Sequence, residues 1–349
     1  MRDIAFAVPG DINTPTGGYG YDRALISALA RAGHTIHPIE LGDGFPAPDE
    51  GTLERAGETL KGVPNAAVLV VDGLAYSVMP TEILEEIKAP LVALIHHPLC
   101  LETGLNDQDA KRLEAAERAA LQKAKAVIVT SQDTARRLTE LFGVPSHLIH
   151  VASPGISADW RQLRRKPVSP PKIVSVGSLS PRKGHDILIG ALALLADLDF
   201  HCDIIGHMPP ESGTAKDIAA QIDHLGLGDR VRLRGPLDQA EIGPAFEAAS
   251  IFALATYYEG FGMVFAEAMA AGLPVVGTTG GAVPGVVPVT AGRLVPPGDP
   301  AAFATALRAL LSDEALRMRL GEGARLAGQR FGDWDSTAKI VSQLVEAQP

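Results

Sequence analysis

The sequence predicts an α/β protein built from two Rossmann-like, doubly wound parallel-sheet domains. Three observations carry this reading. Short apolar runs alternate with longer helical stretches along all 349 residues. The runs are unbroken and rich in aliphatic and β-branched residues, as in strands covered on both faces. The alternation stops once, at a basic, proline-rich stretch, and then restarts. The length suits two domains. A hydrophobic share of 46% with only 5% aromatics fits helices packed on parallel sheets better than a sandwich.

In order along the chain, Ile4 to Val8 reads as a buried strand and Tyr21 to Arg31 as a helix ended by Gly33. Ala67 to Val71, Leu91 to Ile95 and Ala126 to Thr130 follow as strands, with a helix over Asp109 to Lys123. Ile156 to Pro171, which contains RQLRRKPVSPPK, reads as a linker. Beyond it, Ile173 to Val176, Phe200 to Ile205, Val231 to Arg234, Ile251 to Ala255 and Pro274 to Val276 are expected strands. Asp186 to Leu195, Glu211 to Leu225, Gln239 to Ala249 and Trp334 to Glu346 are expected helices. The domains are placed at 1–166 plus 331–349 and at 167–330, with no sequence repeat between them. Such βα alternation with right-handed crossovers makes doubly wound sheets.

Composition excludes several classes. A formal net charge of -10 argues against broad capture of nucleic acid. Two distant cysteines, Cys100 and Cys202, support neither a disulfide framework nor a zinc site. No apolar run reaches the roughly 20 residues that span a bilayer. MRDIAFAVPG enters a strand-like run without the apolar core and cleavage site of a signal peptide. The expectation is a cytoplasmic protein without a transmembrane segment, for which peripheral membrane contact through the basic stretch stays open.

The chemistry concentrates in loops that follow strands and open helices. Glu259-Gly-Phe-Gly-Met-Val-Phe-Ala-Glu267 comes after the strand at Ile251 and opens a helix near Met263. Glycine there lets a ligand approach the backbone, and free N–H groups at a helix start attract anions. Val176-Gly-Ser-Leu-Ser-Pro-Arg-Lys-Gly-His-Asp186 repeats the strand–loop–helix layout with Arg182 and Lys183 in the loop. In the first half, Thr14-Pro-Thr-Gly-Gly-Tyr-Gly-Tyr-Asp22 offers backbone N–H groups to a phosphate. It is not G-x-G-x-x-G, so the dinucleotide fingerprint is absent. His96-His97-Pro98 ends the strand Leu91 to Ile95, where a side chain points into a ligand crevice. Asp72 ends another strand and either faces that crevice or caps a helix. Ser131 caps the next helix.

E-x7-E enclosing G-F-G and followed by an A-x-G-x-P-V strand, together with V-G-x-L-x-x-x-K-G, resembles glycosyltransferase family 4. The resemblance covers nearly the whole chain, most strongly Ile173 to Asp299. It implies a GT-B fold, two Rossmann-like domains facing a central cleft, and a retaining, metal-independent hexosyltransferase using a UDP- or GDP-sugar. By that resemblance Glu259 contacts the donor sugar, Glu267 the ribose, and the backbone of Phe261, Gly262, Met263 and Val264 the sugar and phosphates. Lys183 neutralises the diphosphate. Ser178 stands where the family carries arginine, so either Arg182 supplies the second charge or helix N-termini do. Gly17 and Gly18 carry over as phosphate contacts, His96 as a sugar contact, and Gly235 and Leu237 as base contacts. Gly280 to Gly285 resembles the family's G-G-x-x-E segment with glycine in place of the glutamate. No cofactor and no metal ligand are expected; the acceptor, a glycan, glycolipid or small molecule, and the oligomeric state are not identified. The competing readings are a sugar-nucleotide epimerase or phosphorylase of the same fold, a dinucleotide-dependent oxidoreductase, which the missing glycine fingerprint disfavours, and a non-catalytic nucleotide-sugar-binding protein.

Overall fold

A computed structural model describes residues 1–208 and 213–349. It contains two six-stranded sheets, parallel throughout. The first comprises β1 (Asp3–Val8), β2 (Thr35–Glu40), β3 (Val68–Asp72), β4 (Leu91–Ile95), β5 (Ala126–Val129) and β6 (Ile149–Val151), in the order β2-β1-β3-β4-β5-β6. The second comprises β7 (Lys172–Val176), β8 (His201–Ile205), β9 (Val231–Gly235), β10 (Ile251–Ala253), β11 (Val275–Thr278) and β12 (Gly292–Val295), in the order β12-β11-β10-β7-β8-β9. Read from its far edge, the second order is the dinucleotide-fold order 3-2-1-4-5-6, and the first follows the flavodoxin-like order at its β1/β3 centre.

Each expected strand is present. Three strands that the sequence reading missed, β2, β6 and β12, lie at sheet edges. Their residues are mostly half-buried or exposed, so they lack the unbroken apolar run that betrays a central strand. The helix over Asp107–Leu121 begins two residues before expectation, with Asn106 accepting from the Asp109 N–H as its cap. The helix expected from Glu211 is described from Gly213, its first two residues lying outside the described set.

The chain divides into Met1–Thr14, Gly18–Gly155 and Asp333–Pro349 in one unit, and Pro15–Gly17 with Ile156–Gly332 in the other. The change of unit therefore falls at Gly155/Ile156 rather than 166/167, and at Gly332/Asp333 rather than 330/331. The reason is packing: the basic, proline-rich stretch is anchored in its first half. Ile156 and Trp160 are buried in the second unit's core, and the Trp160 ring lies 4.8 Å from that of Phe246. Arg165 donates to the Gly272 carbonyl at 2.8 Å, and the Lys166 N–H to that of Glu247 at 2.7 Å. Phe331 likewise packs on that core, with its ring edge toward Phe261. The helix Trp334–Glu346 joins the first unit, where Thr337 donates to the Ser153 carbonyl at 2.7 Å and Trp334 meets Tyr21 edge-on.

The second sheet separates two apolar clusters by strand alternation. Ile173, Ile251 and Ala253 face one, and Val174, Phe252 and Leu254 the other. The first unit gathers one large cluster around β3, β4 and β5. Among the described residues no helix is long and apolar enough to cross a membrane.

Candidate active site

In open α/β sheets ligands bind beyond the carboxyl ends of the strands, where the strand order reverses. In the second unit that point lies between β7 and β10. The two loops singled out in the sequence leave these same strands, and they interlock. The Tyr257 N–H donates to the Arg182 carbonyl at 2.8 Å, and Arg182 donates to the Tyr258 carbonyl at 2.9 Å. Thr256 donates to the Arg182 carbonyl at 3.0 Å. Gly184 has φ +62°, and a Cβ there would lie 2.1 Å from the Ala255 carbonyl oxygen, so only glycine admits this approach.

The side chains meet as a charge cluster in which Glu259 is buried and Arg182 and Lys183 are half-buried. Lys183 Nζ lies 2.6 Å from Glu259 Oε1, and Arg182 lies 3.6 Å from Glu259 Oε2. Burial works to raise the Glu259 carboxyl, but Lys183 and Arg182 outweigh it and hold the group below its ordinary range. One carboxylate against two cations leaves an excess positive charge at the switch point. Arg182 is thus the nearby cation where Ser178 offers none. His185, buried at the start of the next helix, adds no charge: burial chiefly, with Lys183 beside it, pushes its imidazole down to about 4.

The helix Met263–Ala270 starts from Gly262, at φ +86°, with no side chain capping it. Its first N–H groups are the kind that receive an anion. Met263 and Val264 are half-buried, whereas Phe261 is buried against the core. Glu267, on this helix, is half-buried, takes no hydrogen bond or ion pair through its carboxyl among the described residues, and is pushed up to about 7 by burial. The Gly280–Gly281 turn presses on the same loop from behind. A Cβ at Gly281 would lie 2.2 Å from the Glu259 carbonyl oxygen, which accepts from the Ala282 N–H at 2.8 Å. A Cβ at Gly285 would have no neighbour within 4 Å.

Gly235 ends the edge strand β9 with φ +70°, and Leu237 packs on the core. Ser178 is half-buried between β7 and the Arg182 turn.

The first sheet reverses between β1 and β3. Gly17 and Gly18 open the helix Gly17–Arg31 that follows β1. A Cβ at Gly18 would lie 3.6 Å from His96, while one at Gly17 would meet nothing within 4 Å. His96 follows β4, and its Nε2 lies 3.2 Å from Asp22 and 3.2 Å from Asp72. Asp72 also accepts from the Leu74 N–H at 2.8 Å, so it caps a helix and faces the histidine at once. Asp22 went without a role in the sequence reading. Its only local signal is a lone carboxylate in the second turn of the helix Gly17–Arg31, whose first turn holds no acid. Glu117, also missed, accepts from Ser77 at 2.7 Å and from the Leu99 N–H at 3.0 Å, pinning the segment that follows His96. Asp22, Asp72 and His96 are the one His–carboxylate group among the described residues near enough to share an ion. His96 Nε2 reaches one oxygen of each carboxylate, while Asp22 Oδ2 is buried without a partner among the described residues.

Fold and site together define a doubly wound α/β protein with cationic and helix-start anion groups at the switch point of its second sheet. Residues 157–327 match the family described as Glycosyl transferases group 1, and residues 73–160 that described as Glycosyltransferase Family 4. The chain belongs to glycosyltransferase family 4, and its fold is GT-B. The D-inositol 3-phosphate glycosyltransferase of Xylanimonas cellulosilytica is 32% identical over 244 residues, covering 64% of this chain and 58% of that protein. That of Streptomyces bingchenggensis is 32% identical over 287 residues, covering 74% and 62%. The chain thus spans less than two thirds of the length of these two relatives. The MMP α-(1→4)-mannosyltransferase of Mycolicibacterium hassiacum is 29% identical over 321 residues, covering 87% and 76%. Among solved structures, sucrose-phosphate synthase from Thermosynechococcus elongatus superposes with TM-score 0.84 at 24% identity, covering 99% and 98%. Anabaena HepE in complex with UDP-glucose does so with TM-score 0.77 at 21% identity, covering 99% and 100%.

Proposed function

We propose that this chain is a retaining, metal-independent glycosyltransferase that moves a hexosyl unit from a UDP- or GDP-sugar to an acceptor hydroxyl. The observation that carries the reading is the Lys183–Glu259–Arg182 cluster at the β7/β10 switch point, beside the uncapped helix that bears Glu267. Lys183 and Arg182 stabilise charge on the departing diphosphate, and the backbone of Phe261 to Val264 holds the donor. Glu259 orients the sugar and Glu267 the ribose. Because Lys183 is paired with Glu259 at 2.6 Å, donor binding redirects part of its charge toward phosphate. No covalent nucleophile is assigned; the leaving phosphate assists removal of the acceptor proton. The names of the relatives favour a small polar acceptor, such as a phosphorylated polyol, over a glycolipid. Epimerase and phosphorylase readings share the donor site. The first predicts turnover of nucleotide sugar with no acceptor, the second a requirement for free phosphate.

The test is thermal shift of the purified chain with UDP-, GDP- and ADP-sugars, with and without EDTA. Expected are a selective shift that survives EDTA and at least about tenfold weaker donor binding in Glu267→Ala, the worth of one charge-assisted hydrogen bond. Since burial raises the Glu267 carboxyl to about 7, the group gains its proton as pH falls through that value. Donor affinity therefore weakens below about pH 7. A Glu267→Ala protein with full donor affinity and turnover would remove the assignment, and binding of NAD or NADP in place of any nucleotide sugar would overturn the reading.

A further inference from the structure

In the first unit, β3, β4 and the helix after β1 bring three ionisable groups from distant parts of the chain to one point. Asp22 and Asp72 are 0% and 1% exposed, and both have an oxygen 3.2 Å from the same ring nitrogen of His96. The other ring nitrogen, Nδ1, bonds no described residue. It is also absent from the buried polar atoms left without partners, so solvent reaches it. The ring is fixed from further sides as well. Tyr21 meets it edge-on at 5.2 Å between centroids, and Thr130 donates to the His96 carbonyl at 3.2 Å. Gly18 leaves the ring edge uncovered.

A histidine that spans one partner with Nε2 and solvent with Nδ1 has two possible roles. With a neutral ring, Nδ1 accepts, and the group serves as a base. With both nitrogens protonated, Nδ1 can only donate. Two buried carboxylates on Nε2 decide between these, because deprotonating the ring would leave an uncompensated excess of negative charge in a dry site.

We propose that Asp22 and Asp72 are positioning residues that lock His96 as an imidazolium, so that its Nδ1–H is a permanent cationic donor to a hydroxyl or phosphate oxygen of substrate at the first sheet's switch point. This rests on the glycosyltransferase reading for its purpose, though not for its geometry. It excludes His96 as the general base, leaving proton removal to another group. The charges agree in direction. Burial opposes a charged ring, but Asp22 and Asp72 outweigh it and raise His96 well above the histidine range. Burial chiefly, with Asp72 beside it, raises the Asp22 carboxyl to about 6, while His96 pulls it down. The other titratable groups facing this cluster are Tyr19, whose hydroxyl donates to the Pro9 carbonyl, and Tyr21, whose hydroxyl donates to the Ala152 carbonyl; burial raises both above their ordinary value, so both stay neutral.

The experiment is NMR titration of the intact chain carrying 13C-labelled histidine. The His96 Cε1–Hε1 signal is identified by its loss in His96→Gln. Expected is an imidazolium signal that does not move across about pH 5 to 8, where ordinary histidines titrate. Asp22→Asn and Asp72→Asn should each lower the midpoint, and the double variant should bring it into that window. A wild-type signal titrating near the ordinary histidine value, or a midpoint untouched by either substitution, overturns the proposal. The wild-type titration decides alone if the variants do not fold. The measurement needs no ligand, so a failed donor screen leaves it standing, and a failed titration leaves the donor site standing.

Discussion

At the residue scale, the second unit's chemistry rests on one carboxylate shared by two cations. Glu259 is 5% exposed, and its partners lie 76 residues away or nearly so. Removing one partner from a buried pair costs more than the pair's net worth, because a charge is left without compensation. Lys183→Ala should therefore lower stability by up to about 3 kcal/mol, less where Arg182 takes over. Adding Glu259→Gln should recover much of that loss while donor binding stays absent. The check is urea unfolding of both proteins alongside thermal shift with a nucleotide sugar. Recovery of binding along with stability would show that the pair is merely structural. Glu259 and Lys183 were legible in the sequence because each sits in a glycine-bearing loop after an apolar run. Asp22 was not, because the histidine it serves is 74 residues away.

At the element scale, glycines decide how closely two loops approach. Gly281 has φ +60°, and a side chain there would meet the Glu259 backbone. Gly281→Ala adds a left-handed strain of about 1–2 kcal/mol to that clash and should displace Glu259, so both stability and donor binding fall. Gly285 faces open space and carries no such strain, so Gly285→Ala should stay within about 0.5 kcal/mol of the parent. Denaturant midpoints and donor shifts of the two variants provide the comparison; equal behaviour would refute the close-approach argument. The edge strands belong to this scale too. β2 carries Thr35, His37, Pro38 and Glu40 among its six residues, and none of the six is buried. Its place follows from pairing with β1, not from its own pattern.

At the scale of the whole molecule, each unit has its own cores, and the donor groups assigned to Arg182, Lys183, Glu259, Glu267 and the 261–264 loop all lie in Ile156–Gly332. A fragment of residues 156–332 should fold cooperatively and keep a measurable, weaker nucleotide-sugar shift. Circular dichroism and thermal shift test this. A fragment starting at 167 should be markedly less stable, since it lacks Ile156, Trp160 and the Arg165 contact to Gly272. Equal stability of the two fragments would return the boundary to where proline and charge alone suggested.

By itself, the sequence determined the α/β class, the central strands and the two loops that hold Lys183 and Glu259. These are local signals: full burial on both faces writes an unbroken apolar run, and a loop that must approach a ligand writes glycine. Only the tertiary structure decided the edge strands, the unit boundary at Gly155/Ile156 and the convergence of Asp22 and Asp72 on His96. The reason is that strand order brings distant strand ends together, and a contact made that way leaves no periodicity in either segment that makes it.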